Sequence, residues 1–238
     1  MLVPNRTRQR GGNSPTTRSN TGSIGPVSLP VLTVGYACRY VAPVADTPEL
    51  VGVEMMGKVA QSWAGAFIDD PMARWGLRTN AGKADLTELF RALLAEYIPV
   101  GAAWQLADGA GAAAWLPPSA TALFADLEQR TRAAIRPLTP DSGEAYSQFW
   151  DWLDEHIPSE PVWVLDVVGV DPALQGLGLG RRLIEHGLAM ASADGLAAFL
   201  ETGNQRNVPY YEHFGFRVIR DADAPSGGPH IWFLRHDP

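Results

Sequence analysis

Apolar residues recur along this chain with two periods, and the switches between them set out the elements. Val31–Tyr40 is apolar and β-branched, as expected of a strand. Leu50, Val53, Met56, Ala60, Trp63 and Phe67 recur at helical spacing and predict an amphipathic helix. Asp69-Asp70-Pro71 should end it, because proline bars the helical conformation from the residue before it. Leu86, Leu89, Phe90, Leu93, Leu94 and Tyr97 form a second stripe, introduced by Asp85 and Glu88 in the pattern of a capping box. Two apolar runs, Gly101–Ala107 and Ala110–Leu116, flank Asp108-Gly109 and predict a β-hairpin, which Pro117-Pro118 stops. Helical stretches follow at 119–133 and 142–156, the second striped by Tyr146, Phe149, Trp150 and Leu153.

The remainder alternates. Val162–Val170 reads as a buried strand, Gly180–Ala193 as a helix, Ala197–Glu201 as a short strand and Asn207–Phe214 as a short helix. Strands are expected near Phe216–Arg220 and His230–Arg235. This order predicts a mixed α/β fold around one sheet.

Composition adds boundaries. Residues 1–28 hold four arginines, no acid and many Gly, Ser, Thr, Asn and Pro, so they cannot bury enough apolar surface to offset their ordering entropy. They are expected to be a disordered tail before a single domain at 29–238. An Arg-rich, acid-free tail also fits an organellar transit peptide. Against that, 17 Arg beside only Lys58 and Lys83, with abundant Ala, suits a GC-rich bacterial genome. The expected setting is therefore a bacterial cytoplasm. A net charge of −7 argues against a nucleic-acid partner, and no apolar run reaches the roughly 18 residues of a membrane span. Cys38 is the sole cysteine, which excludes an intrachain disulfide and a cysteine-built metal site. The five histidines show no metal-ligand spacing, so no metal is expected.

The most informative stretch joins the strand ending at Val170 to the helix starting near Gly180, through Gly176 and Gly178. Glycines admit unusual dihedrals and close ligand approach. The free N–H groups of the helix start then face an anion, and Arg181 and Arg182 add positive charge. This arrangement suits phosphates. A nucleotide P-loop would need Lys-Ser/Thr after its last glycine, and none follows. A dinucleotide fingerprint needs Gly-x-Gly-x-x-Gly, yet its sixth position is Arg181 or Leu183.

The spacing of Gln175, Gly178 and Gly180 matches Gln/Arg-x-x-Gly-x-Gly/Ala, and with Val170-Asp171-Pro172 before it this stretch resembles the GNAT superfamily of N-acetyltransferases. Asn204-Gln-Arg-Asn207-Val-Pro-Tyr-Tyr211-Glu-His-Phe-Gly215-Phe216 is similar to the ending of the same family's signature. Phe199-Leu-Glu-Thr202 and Ser226-Gly-Gly-Pro-His-Ile-Trp232 look like its puromycin N-acetyltransferase-like bacterial members, as Ala66–Pro71 and Trp115-Leu-Pro-Pro118 do more loosely. The resemblance implies a mostly antiparallel sheet flanked by helices, with a splayed parallel strand pair where acetyl-CoA binds. It implies that Gln175, Gly176, Leu177, Gly178, Leu179, Gly180 and Arg181 cradle the pyrophosphate, and that Val168, Gly169 and Val170 pair with the pantetheine arm. Asn204 and Asn207 fall in the matching cofactor positions, and Tyr211 in that of the acid that protonates the departing thiolate.

Direct transfer to an amine also needs a proton acceptor. Glu201, ending the strand that should flank the cleft, is the candidate, directly or through water; it could equally order the following loop or anchor the acceptor. Asp70, with Asp69, either binds a cationic acceptor or ends a helix. Trp75, Trp115 and Tyr146 either line an aromatic acceptor pocket or pack the core. The expected partner is a small-molecule amine, met by a monomer or a homodimer. A peptide or protein acceptor and a non-catalytic CoA sensor are the alternatives.

Overall fold

The computed structural model describes residues 47–120 and 131–238. The expected tail, the strand at Val31–Tyr40, Cys38 and most of the stretch 119–133 lie outside the described residues. The strands are β1 (Glu49–Leu50), β2 (Ala103–Leu106), β3 (Gly111–Leu116), β4 (Val162–Val170), β5 (Ala197–Thr202), β6 (Arg217–Asp223) and β7 (His230–His236). They form one sheet in the order β1-β2-β3-β4-β5-β7-β6. Every adjacent pair is antiparallel except β4 with β5. The helices are α1 (Met56–Ala66), α2 (Pro71–Arg74), α3 (Lys83–Tyr97), α4 (described over 131–135), α5 (Glu144–Asp154), α6 (Leu179–Ala193) and α7 (Val208–Glu212). Parallel neighbours need a crossover connection, and α6 supplies it between β4 and β5.

Alternation along β3 sorts its side chains into two cores. Ala112, Ala114 and Leu116 join the core under α1, α3 and α5, whereas Ala113 and Trp115 join the core under α6 and α7. Trp63, wholly buried on α1, anchors the first core, and its Nε1 donates to the Ala112 carbonyl at 3.0 Å. The stripe expected on α3 buries Leu86, Leu89, Phe90, Leu94 and Tyr97.

Four local expectations are corrected. Leu50 pairs with Trp104 in β1 and is exposed; a 3-10 turn at Val53–Met55 intervenes before α1, because the edge of β2 satisfies this backbone first. Asp85 is the third residue of α3 rather than its cap, and its Oδ2 accepts from the Gly82 N–H at 2.8 Å. The hairpin loop has four residues, not two: Leu106 pairs with Gly111, and Ala107, Asp108 and Gly109 all take left-handed φ of 52°, 56° and 78°. Asp70-Pro71 does more than end a helix. Asp70 caps α2, its Oδ1 accepting from Met72 N–H at 2.9 Å and Ala73 N–H at 3.0 Å.

One irregularity matters for the site. Along β3 and β4, Ala114 faces Val167 but Trp115 faces Leu165, so Asp166 has no residue opposite. Such a bulge bends its strand and increases the local twist.

Candidate active site

β4 and β5 hold together only at Val162–Ala197, Trp163–Ala198 and Val164–Phe199. Beyond those pairs they part, immediately before the bulge at Asp166. A cavity of about 160 Å³ occupies the opening. Its lining comes from both cores: Val164, Val167, Phe90 and Tyr146 from one, Leu165, Val168 and Tyr211 from the other. A continuous sheet would keep these two sets apart, so the splay is what lets them meet.

Tyr211 and Glu201 both line this cavity. Tyr211 stands on α7, buried, its ring edge-on to Phe216 at 6.0 Å. Burial raises its hydroxyl above the ordinary tyrosine value, with further contributions from Tyr210, Asp70 and Glu201. It therefore keeps its proton at neutral pH and can donate it. Burial also holds Glu201 well above the usual carboxylate range, reinforced by the charges of Asp166 and Asp154. A carboxylate with a raised pKa is a better base for an ammonium proton.

The glycine loop follows the other end of β4. Gln175 Nε2 donates to the Val170 carbonyl at 3.2 Å, which ties the loop to the strand end. Gly176 and Gly178 have φ of +83° and +80°, and a Cβ on either would meet nothing within 4 Å. Backbone conformation, not crowding, thus requires glycine at both. Gly178 caps α6, whose first-turn N–H groups have no intrahelical acceptor. These donors, the open loop and the edge of β4 that β5 leaves unpaired suit a pyrophosphate with an extended arm. Leu177 is exposed, whereas Leu179 and Gly180 are buried, so these last two can offer a ligand only backbone. Arg181 pairs with Glu185 at 2.7 Å at the helix start.

Other expected positions have local duties. A Cβ on Gly169 would lie 2.8 Å from Trp63 Cδ1, so close packing of α1 on β4 accounts for that glycine. Asn204 Oδ1 accepts from Arg206 N–H at 3.1 Å, and buried Asn207 Nδ2 donates to Thr202 Oγ1 at 3.3 Å. Asp70 and Tyr146 line the cavity, Asp70 with its Oδ1 already engaged in the cap of α2. Trp75 and Trp115 are not on the lining. Trp115 corrects the expectation of an acceptor contact: it is wholly buried against α6, where the sheet alternation points it away from α1, α3 and α5.

Three lining residues escaped the sequence reading. Asp166 sits mid-strand in β4, and the Tyr97 hydroxyl donates to its Oδ2. Asp154, on α5, is raised to about 6 by partial burial and by Asp166 and Asp151, with Arg132 opposing. The signal for Asp166 was present, since it is the one charged residue of Val162–Val170, and a charge in a buried strand calls for a partner. Nothing in the spacing of Tyr97 or Asp154 set them apart from a helix stripe and a solvated helix end.

The Acetyltransferase (GNAT) family profile matches residues 120–216. The chain is 30% identical over 175 residues to the uncharacterized N-acetyltransferase C550.08 of Schizosaccharomyces pombe, covering 67% of this chain and 69% of that protein. It is 35% identical over 148 residues to the mycothiol acetyltransferase of Nocardia farcinica, covering 59% of this chain but only 44% of that one. A crystal structure from Corynebacterium glutamicum, described as histone acetyltransferase HPA2 and related acetyltransferase, shares the fold with a TM-score of 0.58 at 22% identity, over 81% of this chain and 96% of that one. With the splayed β4–β5 pair, the glycine loop and a relative matched over most of its length, the chain belongs to the GNAT family of acetyltransferases.

Proposed function

We propose that this enzyme moves an acetyl group from acetyl-CoA to the primary amine of a small molecule by direct attack. The observation that carries this reading is that Tyr211 from α7 and Glu201 from β5 line one small cavity at the strand splay. Glu201 takes the proton that the amine must lose, and Tyr211 supplies the proton that the sulfur must gain. Backbone N–H groups on the parted edge of β4 offer donors to the carbonyl oxygen. The loop Gln175–Arg181 holds the pyrophosphate and Val168–Val170 the arm, while acetyl-CoA brings the activated thioester. Asn204 and Asn207 act on the cofactor through the loop that they shape.

A cavity of about 160 Å³, walled by Phe67, Phe90, Tyr146 and Trp150, favours a compact amine with apolar or aromatic parts over a protein surface. The likeness of Phe199–Thr202 and Ser226–Trp232 to puromycin N-acetyltransferase-like enzymes does not fix the acceptor, and it places an antibiotic-like amine among those to test. The proposal keeps the bacterial, cytoplasmic setting that the composition suggests. The test is CoA release from acetyl-CoA across amines that include puromycin, aminoglycosides, polyamines and lysine peptides. Release with a small amine supports the reading; release with peptides alone replaces it with a protein acetyltransferase; tight acetyl-CoA binding without release to any acceptor supports a sensor.

A further inference from the structure

Asp166 has no part in the reaction as described so far. Two residues past Val164, it faces the same core as Val164, and β3 offers no residue opposite it. The parallel register that ends at Val164–Phe199, extended by two positions, sets Asp166 across from Glu201, with the strands already parted. Both side chains line the cavity. The buried Tyr97 hydroxyl, from the end of α3, donates to Asp166 Oδ2 and fixes the carboxyl group; burial raises the Asp166 pKa, and this hydrogen bond opposes the rise. Among the described residues, no hydrogen bond engages Oδ1.

Resting on the acetyl transfer read above, we propose that Asp166 anchors the acceptor amine as its ammonium cation across the splay from Glu201, and so selects primary amines over alcohols and anionic acceptors. Two desolvated carboxylates facing each other are mutually unfavourable, and a cation between them relieves that cost. The lining cation, Arg132, is paired with Asp151. Asp70 also lines the cavity, with its Oδ1 held in the cap of α2. Asp166 binds and orients, and Glu201 accepts one proton from the nitrogen. The freed lone pair forms the N–C bond to the acetyl carbon, and the C–S bond breaks. The sulfur takes the Tyr211 proton, the nitrogen's second proton returns to the Tyr211 oxygen through cavity solvent, and Glu201 releases its proton to bulk.

The titratable groups that line the cavity with Glu201 are Asp70, the cap of α2, Tyr97 from α3, Arg132 from α4, Tyr146 and Asp154 from α5, Asp166 itself and Tyr211 from α7. Of these, Asp166 is foremost among the charges that raise Glu201. The test is steady-state kinetics of wild type, Asp166→Asn and Tyr97→Phe with the best amine, from pH 5 to 10. Asp166→Asn is expected to raise the amine KM on the order of tenfold or more, as loss of a desolvated charge partner does, and to leave the acetyl-CoA KM unchanged. Its acid limb of kcat/KM should move to lower pH, because Glu201 loses the neighbouring negative charge. Tyr97→Phe, which keeps the carboxylate, should raise the amine KM by a smaller factor. An amine KM and acid limb like those of wild type overturn this inference alone, as does an equal rise in both KM values. Absence of transfer by wild type to every acceptor overturns the proposed function and this inference with it.

Discussion

The indole of Trp115 occupies the space that Gly187 leaves on α6, and its Nε1 donates to the Leu183 carbonyl 3.1 Å away. A Cβ on Gly187 would fall 1.8 Å from Trp115 Cε2. The helix that begins at the glycine loop is thereby set against β3 at a depth that only glycine permits. Gly187→Ala must push α6 or the indole away, so it should cost more than ordinary overpacking, roughly 3 kcal/mol or above. Gly169→Ala, with its Cβ 2.8 Å from Trp63 Cδ1, should cost less, about 1–3 kcal/mol. Urea unfolding of the two variants checks the order.

The glycines of the loop predict the opposite outcome. Gly178 has room for a Cβ but a φ of +80°. Gly178→Ala carries only backbone strain, about 1–2 kcal/mol, which the loop can relieve by shifting. The thermal midpoint should change little while the acetyl-CoA KM rises on the order of tenfold, since a small displacement of the donors costs much of their alignment. A normal acetyl-CoA KM would remove the loop from its assigned part.

Glu201, the proposed base, should cost the fold stability. Its pKa in the folded protein is raised, so the folded state binds its proton more tightly than the unfolded chain does. Stability falls as pH rises from the ordinary carboxylate range toward the raised value. Glu201→Gln should therefore raise the thermal midpoint at pH 7 to 8, and the gain should shrink as pH drops toward about 4. Acetyl transfer should fall about 10²-fold or more, as loss of a general base predicts. Differential scanning fluorimetry across pH, with matched rates, tests both halves.

Tyr211 and Tyr210 are adjacent on α7 but face different groups. Tyr211 lines the cavity, whereas Tyr210 is influenced by Glu185 and Arg181 of α6. Tyr211→Phe should lower kcat about 10²-fold or more with acetyl-CoA binding intact, as loss of a general acid predicts. Tyr210→Phe should leave kcat within about threefold, since it removes no proton donor from the cavity. Equal effects of the two substitutions would take the acid's part away from Tyr211.

Periodicity was enough to read α3, α5, β4, α6, β5 and β7, because each carries an apolar stripe or run whose period is set locally. Glycine spacing was enough for the loop before α6, since left-handed φ at Gly176 and Gly178 is a property of those residues themselves. Capping and loop details failed by a few residues at Gly82, Asp85 and Ala107–Ala110, where partner strands and neighbouring turns, absent from any local pattern, choose among close alternatives.

Trp115 and Asp166 mark the boundary between the two kinds of knowledge. The sequence by itself determined that Trp115 lies in an apolar strand and that Asp166 interrupts one. Which core each faces depends on the β3–β4 register and its bulge, and a shift of one residue reverses every side chain beyond it. Only the tertiary structure decided that Trp115 belongs to the core beneath α6 and that Asp166, Glu201 and Tyr211 share one cavity. The physical reason is that they come from three elements, brought together where β4 and β5 cease to pair.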